Sequence, residues 1–194
     1  MFQTAWACFL YIYGILTDVL LVCNHASKLR PNDLNRQQFP SQYFGDWYFI
    51  AAAASEISPS LEAYTQVDNT VFNINEETRP DRLLLRATIR TKDGSCVPRK
   101  WIYLVKEDSV DLGTEGRPDR NTELFASKCP RCIILQESDP HIVQRLLLFS
   151  RTPQLDQEYI DDFKTKASCA GMHKLLLFPQ ANEYCKFEPT GVHS

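Results

Sequence analysis

The sequence predicts an all-β fold, an eight-stranded antiparallel up-and-down barrel with one C-terminal α-helix packed outside it. Short apolar stretches separated by turn residues run from Gly45 to Ser150, and the side-chain period within the clearest of them is two. The period becomes helical only after this region ends. The length of 194 residues fits one domain with a short appendage.

Composition excludes several classes of function. The chain is 44% hydrophobic and 11% aromatic, which indicates a folded core. A formal net charge of −3 without a polybasic run argues against a nucleic-acid partner held by phosphate neutralisation. Seven cysteines are typical of a secreted, oxidised protein. Because no G-x-S-x-G, H-E-x-x-H or phosphate-loop motif is present, we expect no catalytic residue, cofactor or metal site.

The appendage is formed by residues 1–22. After the first four residues its only strongly polar members are Thr17 and Asp18, as in targeting or anchoring segments. As a helix this stretch would reach about 27 Å, near the thickness of a bilayer core, although Asp18 disfavours a bilayer-centre position. The run LLVCNHASK lacks the small-x-small pattern of a cleavage site. We therefore expect a retained signal peptide that acts as a lipid anchor, with cleavage as the alternative, followed by one domain over 23–194.

The predicted strands follow one another at short intervals. Turn residues separate them, as in segments 92–95, 115–119 and 129–131. Segment 82–90 alternates clearly, with Leu83, Leu85, Ala87 and Ile89 on one face. The eight strands are Asp46–Ala54, Gln66–Asn75, Arg82–Lys92, Val97–Lys106, Val110–Leu112, Thr122–Lys128, Ile133–Glu137 and Val143–Ser150. A further short strand is predicted at Lys174–Phe178.

The helix is predicted over Leu155–Ser168. Its apolar residues at helical spacing are Leu155, Tyr159, Ile160, Phe163 and Ala167. The polar residues opposite are Asp156, Glu158, Asp161, Asp162, Lys164 and Lys166. Such a charged face is usually solvated, so we expect all six in water and assign them no function.

One strand departs from the clean pattern. In segment 97–106 neither face is fully apolar, and Arg99, Trp101 and Tyr103 share one face. If that face points into a closed barrel, the guanidinium needs an anionic partner, because an unpaired buried charge is costly. A bound anion is one solution. The other is that Arg99 lies at the strand end in water.

The cysteines indicate a disulfide framework. Cys8 lies in the apolar appendage and is expected to remain outside it. The six others allow 15 pairings among which the sequence does not choose. A redox role for the C-x-x-C pair Cys129 and Cys132 would require a βαβ context, and a zinc site would require ligands closer than Cys169 and His173. A disulfide at a tight turn is the favoured interpretation.

Two motifs resemble those of the lipocalin family. Gly45-Asp46-Trp47 resembles the G-x-W motif at the start of the first lipocalin strand. Arg151, directly before the helix, resembles the arginine that packs across that tryptophan and closes the barrel base. Because the two motifs lie about 100 residues apart with the arginine before a helix, the combination is specific. The resemblance implies the eight-stranded barrel and structural roles for Gly45, Trp47 and Arg151.

Within the lipocalins, the chain is most similar to a branch carried on high-density lipoprotein particles. The similarity covers nearly the whole chain and is most specific in Leu85–Tyr103, Asp111–Phe125 and Gln144–Pro153. It implies a secreted, monomeric lipid carrier that holds sphingosine-1-phosphate in its barrel. It also implies that residues 1–22 anchor the protein in the phospholipid monolayer of the particle.

The resemblance implies that Arg99, Trp101 and Arg117 hold the lipid phosphate. Forked guanidinium donors and an indole N–H suit that role. Other ligand-lining positions that it implies are Tyr103, Glu137, Arg145 and Phe149. A carboxylate at Glu137 would pair with the ammonium of the ligand. The family places tyrosine at some equivalents of Phe149, so one hydroxyl contact is expected to be lost.

The resemblance also implies two disulfides, Cys23–Cys169 and Cys96–Cys185. The third family disulfide departs, because the partner of Cys129 would lie where this chain has Tyr159. We expect a local Cys129–Cys132 bridge instead, with free thiols as the alternative.

Three other functions compete with this one. The barrel could carry another apolar or anionic lipid, such as a fatty acid or a retinoid. The protein could be a lipid-isomerising lipocalin that uses a barrel cysteine, although every cysteine after residue 22 has a plausible disulfide partner. It could also be a structural lipoprotein component whose barrel is incidental.

Overall fold

A computed structural model describes residues 6, 8–13, 23, 28, 40–79, 81–106, 109–140, 144–180 and 183–187. The strands are β1 Gly45–Ala54, β2 Val67–Glu76, β3 Arg82–Thr91, β4 Cys96–Val105, β5 Leu112–Thr114, β6 Arg117–Phe125, β7 Cys132–Ser138, β8 Gln144–Ser150 and β9 Lys174–Leu177. The helix α1 spans Gln157–Cys169, and 3₁₀ turns cover Ser41–Tyr43 and Pro59–Tyr64.

The sheet closes on itself. Its strand order is β2-β3-β4-β5-β6-β7-β8-β1-β9, and β2 also pairs with the start of β1. All of the pairings are antiparallel. The ninth strand pairs with the last four residues of β1. The predicted eight-stranded barrel with a helix outside it is confirmed, with the short ninth strand at its side.

Strand boundaries differ most around the β5–β6 turn. The predicted turn of five residues is shorter in the structure, because Gly116 adopts a φ of +74° and β6 begins directly after it at Arg117. Pro118 lies in the strand although proline cannot donate a ladder hydrogen bond. It is accommodated because pairing of β6 with β7 begins only at Asn121. The fifth strand is shifted two residues from its predicted position.

The core has two layers, one inside the barrel and one under α1. The strand β1 contributes to both, because its last six residues are all buried. Ala51 and Ala53 face the helix and are 0% exposed, so their small side chains let Phe163 pack against the sheet. Ala52 and Ala54 point the other way, into the barrel.

The prediction that the charged face of α1 is fully solvated is wrong for two of its residues. Asp162 and Lys166 are buried rather than solvated, with 8% and 5% exposure. The Lys166 ammonium donates to both Asp162 carboxylate oxygens at 2.6 Å. Residues four apart lie on the same side of a helix, and a charge is tolerated in the interior only when paired. The backbone N–H of Lys128 also donates to Asp162 at 3.4 Å, which connects the helix to the β6–β7 turn.

Three disulfides join distant and local parts of the chain. They are Cys23–Cys169, Cys96–Cys185 and Cys129–Cys132. These are the pairs expected above, and the free-thiol alternative for the last pair is not what the structure shows. The remaining cysteine, Cys8, is free and exposed.

Most of the predicted anchor over residues 1–22 lies outside the described residues. The described part consists of Trp6 and residues 8–13, which are helical, with large apolar side chains 56% to 72% exposed. Phe9 contacts Trp6 edge-on at 6.2 Å between ring centroids and stacks with Tyr13 at 6.5 Å. Among the described helices, none has both the length and the apolar character needed to cross a membrane.

Candidate functional site

One end of the barrel, the base, is sealed by Trp47 and Arg151. The guanidinium carbon of Arg151 lies 3.7 Å from the centroid of a Trp47 ring, and the indole N–H donates to the Tyr43 carbonyl at 2.7 Å. Arg151 also donates to the carbonyls of Asp46 at 3.0 Å and Gln42 at 2.8 Å. Burial lowers the pKa of Arg151 from its ordinary value. These contacts agree with the structural roles that the motifs implied.

Gly45 makes room for this seal. Its φ of +94° is disfavoured for residues with a side chain. A Cβ atom at this position would lie 3.3 Å from Nη1 of Arg151, which is already held by the Asp46 carbonyl. Both the backbone conformation and the space therefore favour glycine.

The other end, the mouth, opens into a cavity. Since β1 starts at the base and neighbouring strands are antiparallel, the mouth is ringed by the connections β1–β2, β3–β4, β5–β6 and β7–β8. The cavity has a volume of about 570 Å³, within the range typical of small-molecule sites. All seven residues predicted to contact ligand line it, namely Arg99, Trp101, Tyr103, Arg117, Glu137, Arg145 and Phe149.

Most of the cavity wall is apolar and aromatic. Phe49 stacks on Phe149 with ring centroids 5.0 Å apart, and Phe72 meets Phe149 edge-on at 5.1 Å. Phe72 also meets Trp101 edge-on at 5.6 Å. These rings continue into aliphatic side chains of β3, β6, β7 and β8. Such a wall suits an alkyl chain or another apolar body.

The burial of its neighbours in β4 shows where Arg99 points. Tyr103 is buried and Trp101 half-buried against the core, so the face that Arg99 shares with them is the inner one. Arg99 lies toward the mouth, where its side chain lines the cavity yet remains exposed. It donates to the carbonyl of Pro98 at 3.2 Å. Arg99 therefore faces the lumen, as the first alternative required, and is exposed to water near the strand end, as the second required.

At the mouth, two guanidinium groups take part in none of the ion pairs found among the described residues. Arg117, on the β5–β6 turn, is exposed and lines the cavity like Arg99. The salt bridges of the described residues include neither of them. By contrast Arg120, three residues further along the same strand, pairs with Asp139 at 3.1 Å.

A buried ionic cluster joins side chains of β4, β7 and β8. Arg145 donates to Oε2 of Glu137 through Nε at 2.9 Å and Nη2 at 2.5 Å. The Tyr103 hydroxyl donates to Oε1 of the same carboxylate at 3.2 Å. Burial opposes the charge of Arg145, but the Glu137 carboxylate outweighs it and raises the pKa of Arg145. Burial, and then the charge of Glu137, raise the pKa of Tyr103. Glu137 therefore already has a cationic partner within the protein.

The cavity residues that sequence reasoning missed include Ser60 and Tyr64. Arg145 donates through Nη1 to the Ser60 carbonyl at 3.3 Å, and its guanidinium lies 4.8 Å from the Tyr64 ring centroid. Both partners belong to the 3₁₀ turn Pro59–Tyr64, which covers part of the mouth. Burial raises the pKa of Tyr64. Ser58 followed by Pro59 is a helix-start signal that would have located this turn.

A closed barrel with a sealed base and a cavity that opens at the mouth is the architecture of a lipocalin. The solved structure of the siderocalin Ex-FABP has a similar fold, with a TM-score of 0.60 over 73% of this chain and 96% of that one. A second siderocalin structure gives a TM-score of 0.60 over 76% of this chain and 95% of that one. Both are 14% identical in sequence to this chain, so they show the fold alone.

Sequence comparison defines the family. The family model described as the ApoM domain matches residues 1–189. Apolipoprotein M from Rattus norvegicus and from Mus musculus are each 41% identical over 187 residues, covering 95% of this chain and 97% of theirs. The chain belongs to the apolipoprotein M family, whose members are lipocalin-type lipid carriers and not enzymes.

Proposed function

We propose that this protein carries sphingosine-1-phosphate, with the alkyl chain in the cavity and the phosphate at the mouth. It does so as a secreted monomer on lipoprotein particles, held in the phospholipid monolayer by residues 1–22. The observation that carries the proposal is the pair of exposed guanidinium groups, Arg99 and Arg117, at the rim of an apolar cavity. The family membership supports lipid transport, and the head-group assignment rests on these two residues.

A phosphate matches the mouth better than a carboxylate does. A phosphomonoester carries about −1.5 to −2 charges and three acceptor oxygens at neutral pH. Arg99 and Arg117 supply two positive charges with forked donors, and Trp101 adds an indole N–H. A carboxylate has one charge and would be satisfied by one arginine. The second guanidinium therefore favours the phosphorylated lipid.

The alkyl chain and the ammonium group of the lipid also have partners in the cavity. Burying about 15 methylenes at about 0.8 kcal/mol each supplies on the order of 12 kcal/mol before association costs. A carboxylate offers about four lone-pair positions, and Tyr103 and Arg145 fill three of those on Glu137. One position remains for the ligand ammonium, so Glu137 can accept it without releasing Arg145.

The test compares three lipids on matched arginine variants. Arg99→Gln and Arg117→Gln are titrated calorimetrically with sphingosine-1-phosphate, sphingosine and a fatty acid. Because a hydrogen bond to a charged group contributes about 1.5–3 kcal/mol, each variant should lose about 10- to 100-fold in affinity for the phosphorylated lipid. Sphingosine should bind as before.

The control is Arg86→Gln, which removes the same charge from β3 at a position that does not line the cavity. Unchanged affinity of the double variant for sphingosine-1-phosphate would overturn the head-group assignment. Equal losses for the phosphate and the fatty acid would favour a general anionic-lipid carrier. Deleting residues 1–22 should abolish particle association and leave lipid affinity intact; loss of both, or of neither, contradicts a separate anchor.

A further inference from the structure

The connection between β1 and β2 exposes apolar side chains at the mouth. Ile57 is 96% exposed, the highest value among the large hydrophobic residues that the structure describes. Pro59 and Ala63, on the same connection, are exposed and line the cavity. We call these three residues the apolar lip. Isoleucine is among the residues most often buried in folded proteins, so its full exposure beside a cavity entrance indicates a place where a partner covers it.

The opposite side of the mouth is cationic. Arg117 lies on the β5–β6 turn, which is two connections away from β1–β2 around the rim of the barrel. Arg99, near the start of β4, is exposed as well. The mouth thus has apolar side chains on one side and guanidinium groups on the other. A phospholipid surface offers partners for both, since its phosphates lie directly above its acyl chains.

The chain that leads to residues 1–22 is held near the apolar lip. Cys23 is bonded to Cys169, the last residue of α1. Five residues later Lys174 begins β9 opposite Ala54, at the mouth end of β1, and five residues span at most about 17 Å. Ile57 follows Ala54 by three residues. A surface that binds residues 1–22 is therefore within reach of the mouth.

We propose that the mouth docks on the phospholipid monolayer that holds residues 1–22, with Ile57 inserted among the lipids. The ligand then passes between the monolayer and the cavity without crossing bulk water. This inference rests on the proposed lipid-carrier function and adds to it the surface from which the ligand is taken.

The interior of the mouth continues the apolar path. Directly after the lip, Tyr64 contacts Phe49 edge-on with ring centroids 5.2 Å apart, and both rings line the cavity. Each methylene that passes from hydrocarbon into water lowers the equilibrium constant about 4-fold. A long alkyl chain therefore enters water reluctantly, and a lip in contact with the monolayer spares it that passage.

The charges around the mouth fit a zwitterionic surface. Glu56 directly precedes Ile57, and Glu62 lies in the 3₁₀ turn that follows; both are exposed. These carboxylates can approach the ammonium groups of choline lipids, while Arg99 and Arg117 can bind phosphates. Because the two signs of charge offset each other, the mouth does not require a net negative surface. Phosphatidylcholine is therefore the lipid chosen for the test.

Loading kinetics of the full-length protein test the proposal. Sphingosine-1-phosphate is supplied either in phosphatidylcholine vesicles or as a monomer in buffer, and intrinsic fluorescence follows occupation of the cavity. An isoleucine side chain that leaves water for an apolar phase contributes about 10-fold to the equilibrium. Ile57→Ser should therefore slow loading from vesicles about 10-fold. Its loading from buffer and its calorimetric affinity should equal those of the unaltered protein.

The matched control is Leu177→Ser. Leu177 is also an exposed aliphatic residue, but it lies on the outside of the barrel in β9, opposite Ala51 and three residues further from the mouth than Lys174. This variant should load from vesicles at the unaltered rate. Equal slowing by both variants would overturn the proposal, because the effect would then not be specific to the mouth.

Insertion itself is measured with Ile57→Trp and Leu177→Trp on vesicles of brominated phosphatidylcholine, in which bromine quenches nearby indoles. The emission added by Ile57→Trp should be quenched, and that added by Leu177→Trp should not. Docking is overturned if the first emission is unquenched. It is also overturned if Ile57→Ser loads from vesicles normally, which would leave the lip to a protein partner. Failure of the unaltered protein to bind the monomer in buffer would instead overturn the lipid assignment on which docking rests.

Discussion

The two ends of the barrel use arginine in opposite ways. At the base, Arg151 stacks on Trp47 and donates to two backbone carbonyls. At the mouth, Arg99 and Arg117 are exposed and outside the ion pairs of the described residues, although they face an apolar cavity. The same side chain therefore belongs to the fold at one end and is available to a ligand at the other. We therefore expect substitution of Arg151 to lower stability, and substitution of Arg99 or Arg117 to lower ligand affinity.

The largest effect should come from the tryptophan at the base. Replacing a buried tryptophan by alanine costs about 3–5 kcal/mol, and Trp47→Ala also removes the surface on which Arg151 stacks. Trp101→Ala at the mouth removes a half-buried ring and should cost less than half as much. Urea unfolding of both variants measures the difference in the free energy of unfolding. Equal losses would mean that the two ends are not distinct.

A smaller difference in stability is expected between alanine substitutions of two glycines at opposite ends of the barrel. Gly45 and Gly116 both adopt positive φ, so alanine at either costs about 1–2 kcal/mol in backbone strain. Around Gly116 no heavy atom of the described residues lies within 4 Å of an added Cβ atom. At Gly45 that atom would also crowd Arg151, so Gly45→Ala should lower the melting temperature more. The comparison fails if Gly116→Ala is as damaging.

The smallest effect on stability should come from the mouth arginines. Substitutions at exposed sites without specific contacts usually change stability by less than about 0.5 kcal/mol, which we expect for Arg99→Gln and Arg117→Gln. Arg151→Gln, the matched change at the base, should cost more than about 1 kcal/mol because it loses two hydrogen bonds and the ring contact. Chemical denaturation measures all three. If the mouth variants were as destabilised as Arg151→Gln, the mouth arginines would have a structural role like that of Arg151.

Much of the fold was predictable because local pattern and global architecture agree. Alternation in segment 82–90 places Leu83, Leu85 and Ala87 inside, where the structure has them buried. The base could be predicted from Trp47 and Arg151 through a family resemblance, since their contact spans over 100 residues and no local pattern reveals it.

The polar interior was less predictable. Glu137 and Arg145 are directly opposite each other in the β7–β8 pairing, but that register depends on a connection whose length the sequence leaves open. Asp162 and Lys166 were expected in water because each alone favours it, and only their mutual contact makes burial tolerable. In both cases the pairing, and not the residue type, decides the position.

The Cys23–Cys169 bridge also limits how far the barrel can lie from the aromatic segment of residues 8–13. It fixes the chain at residue 23 to the last residue of α1, on the outside of the barrel. Nine residues lie between Tyr13 and Cys23, and the ten steps from one to the other reach at most about 35 Å when fully extended. A surface that binds this segment would therefore lie within about 35 Å of residue 23 and close to the C-terminal end of α1, and reduction of the bridge would remove that limit.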